Sequence, residues 1–524
     1  MDSDALVAFL RDLTVGKVLA AGSAAYLAFH LLKALYNISP LHPLSKIPGP
    51  KLAGATYLPE FYYDAILGGR YTHAIKSMHD KYGPIVRISP DETHCIDPKF
   101  ADEIFPLGGR KRDKPIHQTR GNGADAQSVF TTFDHDLHRI RRVPIAKFFS
   151  NAMIERLEGE IVENVNKLTS KMLAEAGRGP FDVAMAYSCF TADTISSYCF
   201  GEPFGLLDQE GWTPNFREAT LAVLKPVFWF RFFPSLSRLA MLGEHFVDYL
   251  PAEPALLVRT MTITIPGYVH KARRELNAGI QYDRPTIFAD LLRSDLEDSE
   301  KTTKMLTDNA MAIVGAGTET TSWALAVITY HLLTKPDLMA RLHKEVDGLV
   351  KDPLKLPDWK TLEELPFFTA VIQEGLRLSY GVSARTAREP SQEDLVYRGE
   401  FNNKPVVHVL PRHYAIGMSS VLSHHDENIF PDSYSFSPDR WLLENGQRNR
   451  ELEKGNFAFA KGSRGCLGKN LALCELNLVL AALTLRVFPR MKLYQTTERD
   501  VLYDHDMFIP VVAPGSKGVR VTIE

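Results

Sequence analysis

Phe459-Ala460-Lys461-Gly462-Ser463-Arg464-Gly465-Cys466-Leu467-Gly468 is the stretch on which the reading of this chain turns. Gly462, Gly465 and Gly468 permit tight turns and let the backbone approach a flat object closely. Cys466 lies just before an apolar segment expected to be helical from Lys469. Backbone N–H groups and the helix dipole at such a position favour a thiolate. Arg464, two residues earlier, can compensate anionic groups, and Phe459 can shield the sulfur from water. Cys474 falls inside the expected helix and reads as core.

A thiolate so placed is suited to bind haem iron, where it pushes electron density towards bound oxygen and favours O–O cleavage. The pattern Phe-x-x-Gly-x-Arg-x-Cys-x-Gly resembles the haem-binding signature of the cytochrome P450 family, matched at Phe459, Gly462, Arg464, Cys466 and Gly468. The resemblance extends over everything after residue 52 and is closest to filamentous-fungal members. It implies haem b with Cys466 as axial ligand and Phe459, Arg464 and Gly468 around the cofactor. It also implies a mainly α fold with small β-sheets behind an N-terminal anchor helix.

Outward from the loop, a long apolar segment, 306–333, carries Gly315-Ala316-Gly317-Thr318-Glu319-Thr320-Thr321. Two glycines are costly inside a helix. Either they serve a close helix crossing, or they open the hydrogen-bond ladder over a cofactor. In the second case Glu319 and Thr320 supply an acid and a hydroxyl able to relay protons into a dry pocket. The resemblance assigns that relay to the matching acid–alcohol pair.

Glu374-Gly375-Leu376-Arg377 puts opposite charges on one helix face. A buried pair needs further partners, and Arg440, in Pro438-Asp439-Arg440-Trp441, offers one. Their order before the cysteine loop resembles the family's structural triad. His138 and Arg142, one turn apart, resemble the family's Trp-x-x-x-Arg, with histidine where tryptophan is usual; they are candidates for the haem propionates. Arg385 is a further candidate, with Arg388 its rival. Substrate contacts are expected from 118–133, 313–316, 382–384 and 506–508.

Length (524 residues) and 45% hydrophobic content allow a large core. A net charge of −3 gives no bulk basicity for nucleic acid. Five cysteines, odd in number, argue against a secreted disulfide framework. Helical periodicity is expected at 152–176, 336–349, 365–378 and 469–486, with strands at 85–88, 93–96, 406–410 and 519–523. Three divisions follow: residues 1–36 as a membrane anchor, 37–52 as a proline-rich hinge acting as a stiff spacer, and 53–524 as the catalytic domain. Lys33, Lys46 and Lys51 behind the apolar stretch favour a cytosolic body on a single N-terminal anchor. The family resemblance makes that membrane the endoplasmic reticulum. Asn37-Ile38-Ser39 is a glycosylation sequon with Pro40 directly behind it.

Two near matches to Gly-x-Gly-x-x-Gly, at 315–320 and 121–126, fail because neither follows a strand. Electrons must then come from a separate protein. The resemblance names an NADPH-dependent cytochrome P450 reductase, for which Arg139, Arg141, Lys147, Lys461 and Lys469 are candidate basic contacts. The leading reading is a monooxygenase that puts one atom of O2 into a small apolar substrate, by hydroxylation or epoxidation, in terpenoid, polyketide or alkaloid biosynthesis. An O2-independent haem-thiolate isomerase or dehydratase, or a non-catalytic haem-binding protein, would have no use for Glu319 and Thr320.

Overall fold

The computed structural model describes residues 15–122, 126–241, 247–280 and 286–524. Part of the expected anchor (1–14) and three residues of the segment 118–133 lie outside them. Helix α1, Val15–Ile38, is apolar, long enough to span a bilayer and unburied through its most apolar stretch. Two other helices meet the same length and composition, but both lie largely inside the protein.

The expected spacer is instead part of the body. Pro43–Lys46 forms a 3-10 turn and Lys51–Ala55 a short helix. Leu44 and Ile47 are buried in a core cluster with Ile85 and Ile416. The prolines set local turns, while the apolar residues between them supply the reason to dock. The junction with α1 is fastened too. Asn37 Nδ2 donates to Ala55 O at 2.9 Å, and Arg87 Nη1 donates to Asn37 O at 2.8 Å. Asn37 is buried by these contacts, so the sequon is closed to modification in the folded protein.

The body is built around helix packing. We label α2 His135–Ala146, α3 Asn151–Leu173, α4 Val183–Phe200, α5 Phe216–Leu224, α6 Thr303–Thr334, α7 Pro366–Ser379 and α8 Lys469–Ala482. Side chains around nearly the whole of α4 are buried, as its mostly apolar and small-residue sequence requires, and its one carboxylate, Asp193, accepts from Leu206 N and Leu207 N. It runs against α6, where Thr191 Oγ1 donates to Thr318 O at 2.9 Å and the Tyr187 and Thr329 hydroxyls are 2.8 Å apart. A Cβ on Gly317 would come within 3.1 Å of Ile195, so this glycine serves the crossing. Helix α6 runs unbroken from Thr303 to Thr334, and the expected gap in its ladder is not formed.

The main sheet has five short strands: β1 Ile85–Arg87, β2 Glu92–Cys95, β3 Arg112–Asp113, β4 Thr386–Pro390 and β5 Ala415–Met418, in the order β1-β2-β5-β4-β3. Only the β2–β5 pair is parallel, with Glu92 opposite Ala415. A hairpin, Leu395–Phe401 with Lys404–Leu410, stands beside it.

What joins this framework to the cysteine loop is a buried ionic knot. Arg377 and Glu374 meet in a bidentate pair of hydrogen bonds, Nε to Oε2 at 2.8 Å and Nη2 to Oε1 at 2.7 Å. The Glu374 carboxylate also accepts from Ser437 N, Arg440 Nε and Trp441 Nε1 at 2.8, 3.1 and 2.9 Å. Arg377 passes its remaining N–H groups to the carbonyls of His424, Ser433 and Ser435. His424 donates from Nδ1 to Arg377 O and accepts from Phe457 N, each at 2.7 Å, so it is neutral and tautomerically fixed. Burial and Arg377 hold its pKa down at about 3, in keeping with that state. Gly375 lets α7 press onto α6, since a Cβ there would overlap Ile328 at 2.1 Å.

Removing one partner of a buried, multiply bonded pair leaves the other charge uncompensated. Glu374→Ala is expected to lower the unfolding free energy by about 3–5 kcal/mol, read as an earlier midpoint in urea denaturation, with Arg440→Ala costing clearly less.

Candidate functional site: the cysteine loop and the spaces on either side of it

The loop is fixed from both ends. Phe457 N is held by His424, and a Cβ on Gly381 would come within 2.3 Å of Ala458 O, so the chain behind α7 lies directly against the loop. Gly462 takes φ of +74° and packs where a Cβ would come within 2.5 Å of Phe105 O. Cys466 N donates to Phe459 O at 2.9 Å, folding the loop back on itself just ahead of α8. Cys466 is exposed although protein surrounds it, so its sulfur faces open space. Burial pushes the free thiol up, and the Gly468 amide, Arg142 and Lys469 oppose that shift. At Gly468 the protein's own atoms leave room, the nearest being Phe149 at 3.9 Å. Self-packing therefore does not explain that glycine.

Beside the sulfur sits a group of cations with one neutral histidine, His138, among them. Lys114, His138, Arg142, Arg388 and Arg464 act on one another electrostatically. Burial pushes Arg388 down to about 9, with Arg464 adding to the shift. Burial, then Arg464, Arg142, Lys114 and Arg388, push His138 down to about 3, so it stands as a neutral ring. Lys114 is held well below its ordinary value by burial, with Arg388 and Arg464 adding to it. Several N–H groups of this set go to carbonyls: Arg142 to Gly465 O at 2.8 Å, Arg464 to Thr132 O and Phe133 O at 2.6 Å each, and Arg388 to Ala387 O at 2.8 Å. Arg464 Nε is buried with no partner among the described residues. Like charges gathered in a low-dielectric place suit a dianionic occupant.

Arg385 is not one of this group, which corrects the expectation from sequence. Its guanidinium is spent on Glu60, Asp64 and Glu92 at 2.5, 3.5 and 3.1 Å. Its rival Arg388 joins the cations. Lys114 was not foreseen, and a lysine beside a proline carries no pattern by which to find it.

Helix α6 presents its own open stripe. Ala316 is exposed and Thr320 partly so, one turn apart, in a helix otherwise mostly buried. Thr320 Oγ1 donates to Ala316 O at 2.9 Å, which leaves its lone pairs turned to the open side. Glu319 points elsewhere. It is buried and paired with Arg217 of α5, while its Oε2 has no partner among the described residues. Burial raises its carboxyl to about 7; Arg217 pulls down and Asp182 pushes up. Neighbouring helix positions are about 100° apart, so Glu319 and Thr320 occupy adjoining faces rather than one.

The cytochrome P450 family profile matches residues 56–509. The chain is a cytochrome P450. It is 40% identical to the cytochrome P450 monooxygenase ppzE of Metarhizium majus over 84% of this chain and 95% of that one. It is 37% identical to the cytochrome P450 monooxygenase tpcC of Cochliobolus heterostrophus over 99% of both. A third relative, 36% identical over 94% of each chain, is the tryptophan 6-hydroxylase fscE of Fusarium equiseti. This P450 is therefore an oxidoreductase, a monooxygenase with fungal relatives, and its family implies haem.

The residues present fit that cofactor: an interior thiol, a glycine with space above it, and a cation group suited to two propionates. Cys466 would hold the iron; Arg142, Arg388, Arg464 and Lys114 would hold the carboxylates, with His138 beside them. Of the candidate reductase contacts, Arg139 and Lys469 are exposed. Arg141 is paired with Glu300, Lys147 with Asp290 and Lys461 with Asp102.

Two outcomes follow from these charges. Lys114→Met or Arg388→Met is expected to weaken haem retention about ten- to a hundredfold, the worth of one charge-assisted hydrogen bond, measured as haem lost per chain on dilution. Glu319 is raised in the fold, so its ionisation costs stability as pH rises from its ordinary value to about 7. Relative to Glu319→Gln, the native protein should lose about 3 kcal/mol across that window, followed by urea midpoints against pH.

Proposed function

We propose that this P450 hydroxylates or epoxidises a small apolar molecule of fungal secondary metabolism. Haem, when bound through Cys466, supplies the oxygen-activating chemistry. The observation that carries the reading is the open stripe of α6: apolar at Ile313 and Ala316, and ending in one hydroxyl, Thr320. An apolar substrate is accommodated by such a wall, and the hydroxyl can steady a proton or a water at its edge. Phe130 and Phe508, whose rings meet edge to face at 5.5 Å, support an aromatic roof for the same space. The hydroxylase named among the relatives supports C–H oxidation.

Protons reach the site, in this reading, by way of Glu319 and Thr320. A carboxyl with its pKa near 7 both holds and gives up a proton at working pH. Its buried Oε2 has no other bond to break among the described residues. Such a relay favours monooxygenation over an O2-independent isomerisation, which needs no delivered protons.

Electrons come from NADPH through a separate cytochrome P450 reductase docking near Arg139 and Lys469. The protein sits in the endoplasmic reticulum membrane on α1, with its body in the cytosol, as the lysines behind α1 favour.

The reduced, CO-treated protein is expected to show a strongly red-shifted Soret band, and Cys466→Ser to abolish the shift. Thr320→Ala should keep the band while NADPH consumption runs ahead of product. A fully coupled Thr320→Ala enzyme would remove Thr320 from the relay.

A further inference from the structure

One short segment, 126–134, touches both the cation group and the aromatic space, and it meets the cations through its carbonyls. Lys114 Nζ donates to Phe130 O and stands over the Phe130 ring, 3.7 Å from its centre. The Lys114 amide donates to Phe133 O at 2.9 Å. Arg464 takes Thr132 O and Phe133 O at 2.6 Å each and Asp134 O at 3.1 Å. On its other side the segment is tied to α6, where Asn309 Oδ1 accepts from Val129 N at 2.8 Å. Ser128 and Thr131 close its turn, each amide donating to the other's hydroxyl. Phe130 is left exposed by this arrangement and meets Phe508 edge to face.

The two cations that hold the segment differ in what they have left to give. Arg464 spends both Nη groups on backbone oxygens. Lys114 has three N–H donors, and among the described residues one of them goes to a carbonyl. The rest of its ammonium is available to a carboxylate.

We propose that Lys114 is a specificity-determining positioning residue: its ammonium, shared between a haem propionate and Phe130, seats the aromatic roof over the substrate space and so sets the size of apolar molecule the space holds. This rests on the haem-thiolate reading and adds to it what shapes the space beside the cofactor. Burial, then Arg388 and Arg464, hold Lys114 well below its ordinary value. A carboxylate beside it opposes that shift, so an occupied cofactor site keeps the charge over the ring. The attraction between ammonium and ring depends on that charge, and a charged donor makes the stronger bond to Phe130 O. Arg388 supplies the contrast. It belongs to the same cation group, yet it donates to Ala387 O, stands over the Phe105 ring and makes no hydrogen bond to 126–134 among the described residues. Loss of either cation loosens haem; only loss of Lys114 frees the roof.

The test uses the full-length, haem-loaded enzyme and two iron-binding azoles of unequal bulk, phenylimidazole and triphenylmethyl-imidazole, titrated by the shift of the Soret band. In Lys114→Met the bulkier azole should gain about tenfold in affinity relative to the smaller. Arg388→Met should keep the native ratio, and Lys114→Arg, which restores the charge, should return it. Amide hydrogen exchange in a peptide covering 126–134 should quicken in Lys114→Met and not in Arg388→Met. A native azole ratio in Lys114→Met, the same changes in Arg388→Met, or no recovery in Lys114→Arg overturns the proposal. Should Lys114→Met fail to hold haem, Lys114→Gln, which keeps a donor without the charge, is read against the same outcomes. A failure of the haem-thiolate reading shows separately, as a missing red-shifted CO band in the native protein.

Discussion

Cations gathered in one buried place are the constraint around which the rest of this P450 is arranged. Arg142 comes from α2, Arg388 from β4, Arg464 from the cysteine loop and Lys114 from the chain after β3. Burial lowers the tendency of all four to stay charged, and neighbouring cations add to it at Lys114, Arg388 and Arg464. A fold tolerates this only if something anionic repays it or the surrounding carbonyls soften it. Carbonyls from Gly465 and residues 132–134 do part of that work. The remainder would drive the uptake of a dianionic cofactor, which would link stability and cofactor retention through the same side chains.

The second charged centre, around Glu374, is balanced internally and does a different task. Its carboxylate is saturated by five N–H donors from two segments, α7 and residues 437–441, and its arginine partner reaches the carbonyls of the strand-poor segment 424–435. Through His424 the order is passed to Phe457, and from there to the loop that carries Cys466. Position at the sulfur is thus set by hydrogen bonds several residues away, and the loop itself needs few side-chain contacts.

The signature loop, the Glu374–Arg377–Arg440 grouping and the mainly α class were legible in the sequence because each depends on local spacing. What was not legible depends on direction. Arg385 and Arg388 are three apart along an extended chain, so they face opposite sides; sequence cannot say which side holds the cations. Glu319 and Thr320 are adjacent letters but different helix faces, and nothing marks Arg217 as Glu319's partner. The prolines of 40–50 suggested a spacer, whereas Leu44 and Ile47 between them decided that the segment packs.

That packing has a consequence for how the apolar helix α1 meets the enzyme. Asn37, His42 and Arg87 bind the end of α1 to the sheet: Arg87 touches Asn37 O, His42 Nε2 and Pro90 O at 2.8, 3.4 and 2.8 Å. With α1 as the proposed anchor, the tilt of the body over a bilayer would be inherited from the helix as a lever arm inherits its angle from its shaft. A soluble version made by trimming the anchor has a natural cut before Asn37; a cut after Ile47 would take away a wall of the core along with the tether.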